Sequence, residues 1–117
     1  MSLKCRWDDE GVVVIDATGE FDAAGAPLLS RPVLRFVEAG QSRFVVDFGN
    51  VGHVDGAGAR DLVGLASKIR SRGGTLAVTG GSKVRAALRG QDVPHDGLVY
   101  DTVAEAARAC RTGSITK

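Results

Sequence analysis

The chain has 117 residues, the size of one ordinary domain, and we expect a single domain over residues 1–117. Fifteen Lys and Arg residues against fourteen Asp and Glu residues leave a formal net charge of +1, whereas dedicated nucleic-acid-binding proteins usually carry a clear basic excess. Aromatic residues make up only 5% of the chain, so few rings are available for base stacking. Direct binding of nucleic acid is therefore not expected.

The cysteine and histidine content argues against a metal centre. Cys5 and Cys110 lie near opposite ends, only two His residues are present, and there is no Cys-x-x-Cys pair, so a usual zinc ligand set cannot be completed. We expect two structural thiols, with a disulfide or a redox role as the alternative, and we predict neither a metal nor a cofactor. Without a run of eighteen apolar residues or an N-terminal signal-like stretch, we expect a cytoplasmic protein that does not insert into membranes.

The N-terminal segment predicts a hairpin followed by a helix. β-branched residues over Gly11–Ala17 indicate a strand buried on both faces, and a weaker strand at Leu3–Trp7 precedes it across a turn at Asp8–Gly11. The apolar spacing within Ala23–Ala39 predicts a helix. Asp22 is its expected N-cap because Asp favours that position.

The middle of the chain predicts a strand, a connection and a strong helix. Pro32 predicts that the preceding helix breaks near Ser30 or begins there. Arg43–Phe48 alternates as a strand, and Gly49–Gly58 is predicted to be a glycine-rich connection. Ala59–Arg72 then carries a buried stripe at helical spacing, formed by Leu62, Leu65, Ala66 and Ile69.

The C-terminal third predicts a strand at Thr75–Thr79, a short helix capped by Ser82 and a short strand at Leu98–Tyr100, after a loop around Pro94. The capping-box pattern that begins at Thr102 opens a last helix. Alternating strands and helices of these lengths indicate α/β units with a mostly parallel sheet. Two strands alternate apolar and polar residues, so one sheet face should be less covered than the other.

No enzyme motif is complete. Gly80-Gly81-Ser82-Lys83 has the residue types of a Walker A loop without its spacing, and neither a dinucleotide fingerprint nor a nucleophile elbow is present. His53 and Asp55 could be cast as an acid and a base, but no nucleophile is near them in the sequence. We therefore predict no catalytic residues and assign the pair to a loop.

The segment from Asp47 to Gly58 is the most informative. Asp55 precedes an amphipathic helix and can accept hydrogen bonds from the free N–H groups of its first turn. The small residues Gly56, Ala57 and Gly58 would leave that turn bare, so that another molecule could approach its backbone closely. An ordinary capped helix start is the simpler alternative.

At this point the sequence resembles the STAS domains, the anti-sigma factor antagonist family. The family pattern Asp-Leu-Ser-x-Val-x-Phe-Ile-Asp-Ser-Ser-Gly is similar to the segment 47–58, and its Gly-Glu-Leu-Asp is similar to 19–22. Its helix Ser-Pro-x-Val-x-x-x-Leu is similar to 82–88, and its closing Asp-Ser-x-x-Glu-Ala to 101–106. The four motifs occur in order, and the resemblance covers about residues 10–110.

The resemblance implies an α/β, STAS-like (SpoIIAA-like) single domain with a mixed, mostly parallel sheet of four to five strands and about four helices mainly on one face. Residues 112–117 would be a frayed tail. It also implies a non-catalytic protein that binds an anti-sigma factor of the serine kinase type, or another protein, as a monomer or weak homodimer.

The chain departs from the family at the regulatory site. The two family serines correspond to Gly56 and Ala57, and in the family the kinase phosphorylates the second of them. Phosphate adds charge and bulk beside a helix N-terminus. Because Ala57 has no hydroxyl, the resemblance implies a site that cannot be switched in this way.

The resemblance also implies a partner surface around the helix start, with solvated charges as the alternative reading of its polar members. Its residues are Glu20, Asp22, His53, Asp55, Gly56, Ala57, Gly58, Arg60 and Asp61, with Lys68 further along the helix. Two other functions remain open: a STAS-like subunit of a transporter or stress-signalling assembly, and a nucleotide- or small-anion-binding domain that uses Gly49–Gly58 as an anion nest.

Overall fold

The computed structural model describes residues 1–80, 82–89 and 98–112, which form one sheet with helices on both of its faces. The strands are β1 (Ser2–Trp7), β2 (Val13–Phe21), β3 (Arg43–Val54) and β4 (Thr75–Thr79). The helices are α1 (Ala26–Glu38), α2 (Gly56–Ser71), α3 (Ser82–Arg89) and α4 (Val103–Thr112). No helix within the described ranges combines the length and apolarity needed to cross a membrane.

The sheet has the order β1-β2-β3-β4, with β1 antiparallel to β2 and the other neighbours parallel. A single parallel bridge joins Val99 to Val78 beside β4, where the Leu98 carbonyl accepts from Val78 N–H at 2.8 Å. The predicted strand Leu98–Tyr100 is thus reduced to one bridge. The predicted mixed, mostly parallel sheet of four to five strands is confirmed.

The core has two layers because β3 alternates its side chains. Phe44, Val46 and Phe48 pack into the larger layer with the apolar stripes of α1, α2 and α3. Val45 points to the other face and packs with Ala106 and further residues of α4. Three helices therefore cover one face and one helix covers part of the other, as expected for helices lying mainly on one side.

The glycine-rich segment after Phe48 is strand, not the predicted connection. β3 continues to Val54 because β2 also extends past Ala17, to Phe21, and the two strands supply each other with backbone partners. Val51 and Val54 anchor the extension in the core, with 1% and 9% of their surface exposed. The register between β2 and β3 shifts twice along this stretch. The segment therefore lacks the regular alternation of apolar and polar residues by which a strand is recognised in a sequence.

Helix α1 begins at Ala26, three residues later than predicted, and runs through Pro32 without the predicted break. A proline inside a helix removes one backbone donor. Leu29 and Val33 lie on either side of Pro32 and are both fully buried, so the helix is held against the sheet by its apolar stripe.

Helix α2 starts at Gly56, three residues before the predicted Ala59, and its predicted buried stripe is confirmed. Half of the predicted capping box is present: Thr102 Oγ1 accepts from Glu105 N–H at 3.1 Å, while the Glu105 carboxylate accepts from the Thr102 hydroxyl at 3.2 Å. Ser82 is the first residue of α3. The loop predicted around Pro94 and positions 113–117 of the predicted tail lie outside the described residues.

Both cysteines are free thiols, so the alternative of a disulfide is not realised. Cys5 is exposed on β1, whereas Cys110 is buried in α4 and its thiol donates to the Phe44 carbonyl at 3.4 Å. Burial raises the pKa of the Cys110 thiol to about 11. Cys110 therefore acts as a small core residue.

An acidic turn fastens α4 to the β1–β2 hairpin. Asp8 Oδ1 accepts from the backbone N–H groups of Glu10 and Val12, both at 2.9 Å. Its other oxygen accepts from Arg111 Nη1 at 3.0 Å, and Arg111 Nε lies 3.3 Å from the Glu10 carboxylate. Burial alone would raise the pKa of Asp8, but the two N–H donors and the Arg111 charge outweigh it and lower the pKa.

The lowered pKa of Asp8 makes the stability of the fold depend on pH. A carboxylate with a lowered folded-state pKa stabilises above its unfolded pKa, and this contribution is lost as the pH falls through the folded value. We expect Asp8→Asn to lower the free energy of unfolding by about 1 kcal/mol at neutral pH and by less at strongly acidic pH. Urea unfolding at several pH values measures this, with Asp9→Asn, an exposed neighbour, as the control. A pH-independent difference would contradict the assignment.

Candidate functional site

The candidate site lies where the parallel strands β2 and β3 end and α2 begins. Glu20 is aligned with His53, and Phe21 with Val54. The Asp55 N–H then donates to the Phe21 carbonyl at 3.3 Å. The two segments that carry Glu20 and His53 are therefore adjacent, because the carboxyl ends of parallel strands meet at one edge of a sheet. His53 lies in β3 and not, as predicted, in a loop.

Asp55 is the N-cap of α2, as predicted. Its Oδ1 accepts from Gly58 N–H at 2.8 Å, and its carbonyl accepts from Ala59 N–H at 2.9 Å. The backbone of Asp55 is extended, with φ −101° and ψ 178°, which is usual for a cap residue. The carboxylate also places negative charge at the positive end of the helix dipole.

Asp22 caps a turn before α1 and is not the N-cap that the sequence predicted. Its Oδ1 accepts from Ala24 N–H at 3.1 Å and Gly25 N–H at 2.8 Å, and the N-cap is Gly25. A Cβ on Gly25 would lie 2.3 Å from the Glu20 carbonyl. The chain thus passes too close to the end of β2 for a side chain at this position.

Gly58 is buried, which changes the role expected for it. A Cβ on Gly58 would lie 2.1 Å from the Phe21 carbonyl, so its lack of a side chain serves packing within the domain. Gly56 and Ala57, in contrast, are exposed. The side-chain-poor surface at the start of α2 therefore consists of these two residues and not of all three.

Two exposed polar side chains flank this surface on the strand side. Glu20 and His53 are both exposed, and the Glu20 carboxylate lies along Gly52, where a Cβ would be 3.1 Å from its Oε2. No hydrogen bond joins His53 to Asp55 among the residues that the structure describes, and the Asp55 carboxylate is engaged in capping. An acid–base pair is therefore not assembled here.

Arg60 and Asp61 flank the same surface on the helix side. Both are exposed in the early part of α2 and border a groove of about 310 Å³ between α1 and α2. In the described part of the chain, no group of three His, Cys, Asp or Glu residues could hold a metal ion. The exposed backbone at Gly56 and Ala57, with charged side chains on either side of it, suits recognition of another molecule.

Sequence reasoning missed two features of this region, Gly25 and Gly64. Gly25 allows the loop between β2 and α1 to lie against the end of β2. Gly64 leaves the middle of the groove open, since a Cβ at this position would have nothing within 4 Å. A glycine inside a strong helical pattern was an available signal, because it costs about 1 kcal/mol relative to alanine.

Comparison with known families identifies a match over most of the chain. The family model described as STAS domain matches residues 8–106. A search of the curated proteins finds no match.

Solved structures share the fold over nearly the whole chain. TM1081 from Thermotoga maritima superposes with a TM-score of 0.79 at 23% identity, covering 93% of this chain and 94% of its own. An anti-sigma factor antagonist from Mycobacterium paratuberculosis gives 0.78 at 22% identity, covering 94% and 93%. The Bacillus anti-sigma factor antagonist SpoIIAA, in its unphosphorylated form, gives 0.73 at 17% identity, covering 96% and 97%.

Two glycines of α2 provide a matched test of how the site is held. We expect Gly58→Ala to destabilise the domain by about 1–3 kcal/mol, because its methyl group would collide with the Phe21 carbonyl. Gly64→Ala, in open space on the same helix, should stabilise by up to about 1 kcal/mol. Thermal and urea unfolding measure both. Equal effects of the two substitutions would show that α2 does not pack against β2 as described.

Proposed function

Because this chain belongs to the STAS domain family, we propose that it is a non-catalytic domain that binds and antagonises an anti-sigma factor. Support comes from the fold it shares with proteins described as anti-sigma factor antagonists. The observation that carries the proposal is the exposed pair Gly56 and Ala57 at the capped start of α2, beside the ends of two parallel strands.

The physical basis of recognition is access to this helix start. A glycine and an alanine in the first turn let a partner's backbone or side chains come close. Asp55 is committed to its cap, so the surrounding contacts fall to Glu20, His53 and Arg60. None of these three side chains forms a hydrogen bond or ion pair with another described residue. Each is therefore free to pair across an interface without first breaking a contact within the domain.

Ala57 also defines how this domain would be regulated. A phosphate at this position would bring about two negative charges into the interface, but alanine has no hydroxyl to accept one. Binding would therefore be constitutive at this site. The fraction of the domain that is bound would be set by the concentrations of the two proteins and not by a kinase acting on the helix start.

Binding can be tested with the serine-kinase-type anti-sigma factors encoded in the same genome, each purified and titrated against the domain by calorimetry. We expect at least one to bind, and Ala57→Arg to weaken its binding by at least about tenfold, because a long charged side chain would cover the helix start. Ala104→Arg is the control, since Ala104 is exposed on α4. The proposal fails if no anti-sigma factor binds, or if both variants bind as the unaltered domain does.

Phosphorylation provides a separate readout of the site. On incubation with the anti-sigma factor kinase that binds and labelled ATP, the unaltered domain should remain unlabelled, because the position facing the kinase is Ala57. Ala57→Ser should accept label at the introduced hydroxyl, located by peptide mass spectrometry. Labelling of the unaltered protein to the same extent would show that another residue is the modified one.

A further inference from the structure

A groove runs between α1 and α2 and begins one helical turn beyond Ala57. Its volume is about 310 Å³, and the α1 side includes Pro27, Ser30 and Leu34, while the α2 side includes Arg60, Gly64 and Lys68. The groove is therefore continuous with the surface assigned to partner binding, and it shares Arg60 with that surface.

The shape of the groove suits a second helix. Gly64 has nothing within 4 Å of the position a Cβ would take, so α2 is notched midway along its exposed side. Leu65 lines the groove with only 4% of its surface exposed. Glycine inside a helix costs about 1 kcal/mol relative to alanine, and small residues allow helices to approach each other closely. An incoming helix could rest on this notch.

The charged side chains of the groove indicate which charge a bound partner helix should carry. The charged side chains that line the groove are Arg60, Lys68 and Asp61, which give it a net charge of +1. The two helices as a whole carry a net charge of +3. None of their basic side chains forms an ion pair with another described residue. Arg60 and Lys68 stand about 12 Å apart along α2, one on each side of the notch at Gly64.

We propose that this groove receives an acidic amphipathic helix of the protein partner. This proposal rests on the proposed function and extends its interface from the helix start along α2. Carboxylates seven or eight residues apart on the partner helix would pair with Arg60 and Lys68, and a small residue between them would lie over Gly64. Asp61 borders the same groove and would favour a basic residue near one end, which fixes the direction of the helix.

The test compares groove variants with controls on the same helix, using the purified anti-sigma factor that binds the unaltered domain. We expect Lys68→Glu and Gly64→Leu each to weaken binding by about tenfold, the first by repulsion and the second by filling the notch. Arg70→Glu reverses an exposed charge of α2 that does not line the groove, and Gly64→Ala adds one methyl group. Both controls should stay within about twofold.

Salt dependence separates charge pairing from shape. Raising the salt from about 0.05 M to about 0.5 M should weaken binding of the unaltered domain, and Lys68→Glu should reduce this dependence. Circular dichroism and thermal unfolding check that each variant is folded, and the chemical shift of the Gly64 amide should change when the partner is added.

The outcomes distinguish the two proposals. If the unaltered domain binds and Ala57→Arg abolishes binding, while Lys68→Glu and Gly64→Leu behave like their controls, the groove is not part of the interface and the proposed function stands. If no anti-sigma factor binds the unaltered domain, both proposals are overturned. Binding that is weakened by the groove variants but not by Ala57→Arg would keep the groove and remove the helix start from the interface.

Discussion

The close approach of two backbones, at Gly58 and at the Phe21 carbonyl, fixes the start of α2. Asp55 also holds the helix start in position, since its N–H donates to the Phe21 carbonyl and its side chain caps the helix. The pairing of β2 with β3 up to Phe21 and Val54 supplies the rigid base. The exposed pair Gly56 and Ala57 is thus held in place by its neighbour Gly58, where a side chain would collide with the Phe21 carbonyl.

This arrangement separates structural from recognition roles among adjacent residues. Asp55 and Gly58 are occupied within the domain, and Gly56 and Ala57 between them face outwards. A similar division holds at the end of β2, where Glu20 is exposed while Asp22, just beyond the strand, caps a turn. Glu20, Arg60 and Lys68 are exposed and have no ion pair with another described residue, so they are available to an interface around the helix start and along the groove.

Sequence patterns predicted the order of elements, the mostly parallel sheet and the Asp55 cap because each depends on local signals, and the family resemblance implied the mixed sheet. Hydrophobic periodicity and capping residues are read directly from the chain. The extension of β3 through Gly49–Val54 could not be read, because its partners in β2 are distant in sequence and the register is irregular. The inward role of Gly58 was missed for the same reason, as its neighbour is a carbonyl 37 positions earlier in the chain.

The contrasting positions of the two thiols have a practical consequence. Cys5 is exposed, although partial burial and the Asp16 charge raise the pKa of its thiol, whereas Cys110 is buried with its pKa raised to about 11. Thiol reagents attack the thiolate and need access to the sulfur. A maleimide dye will therefore attach to Cys5 in the native protein, on the edge strand β1 and away from the start of α2. The slow rate at which Cys110 is then modified would measure how often α4 separates from the sheet by local unfolding.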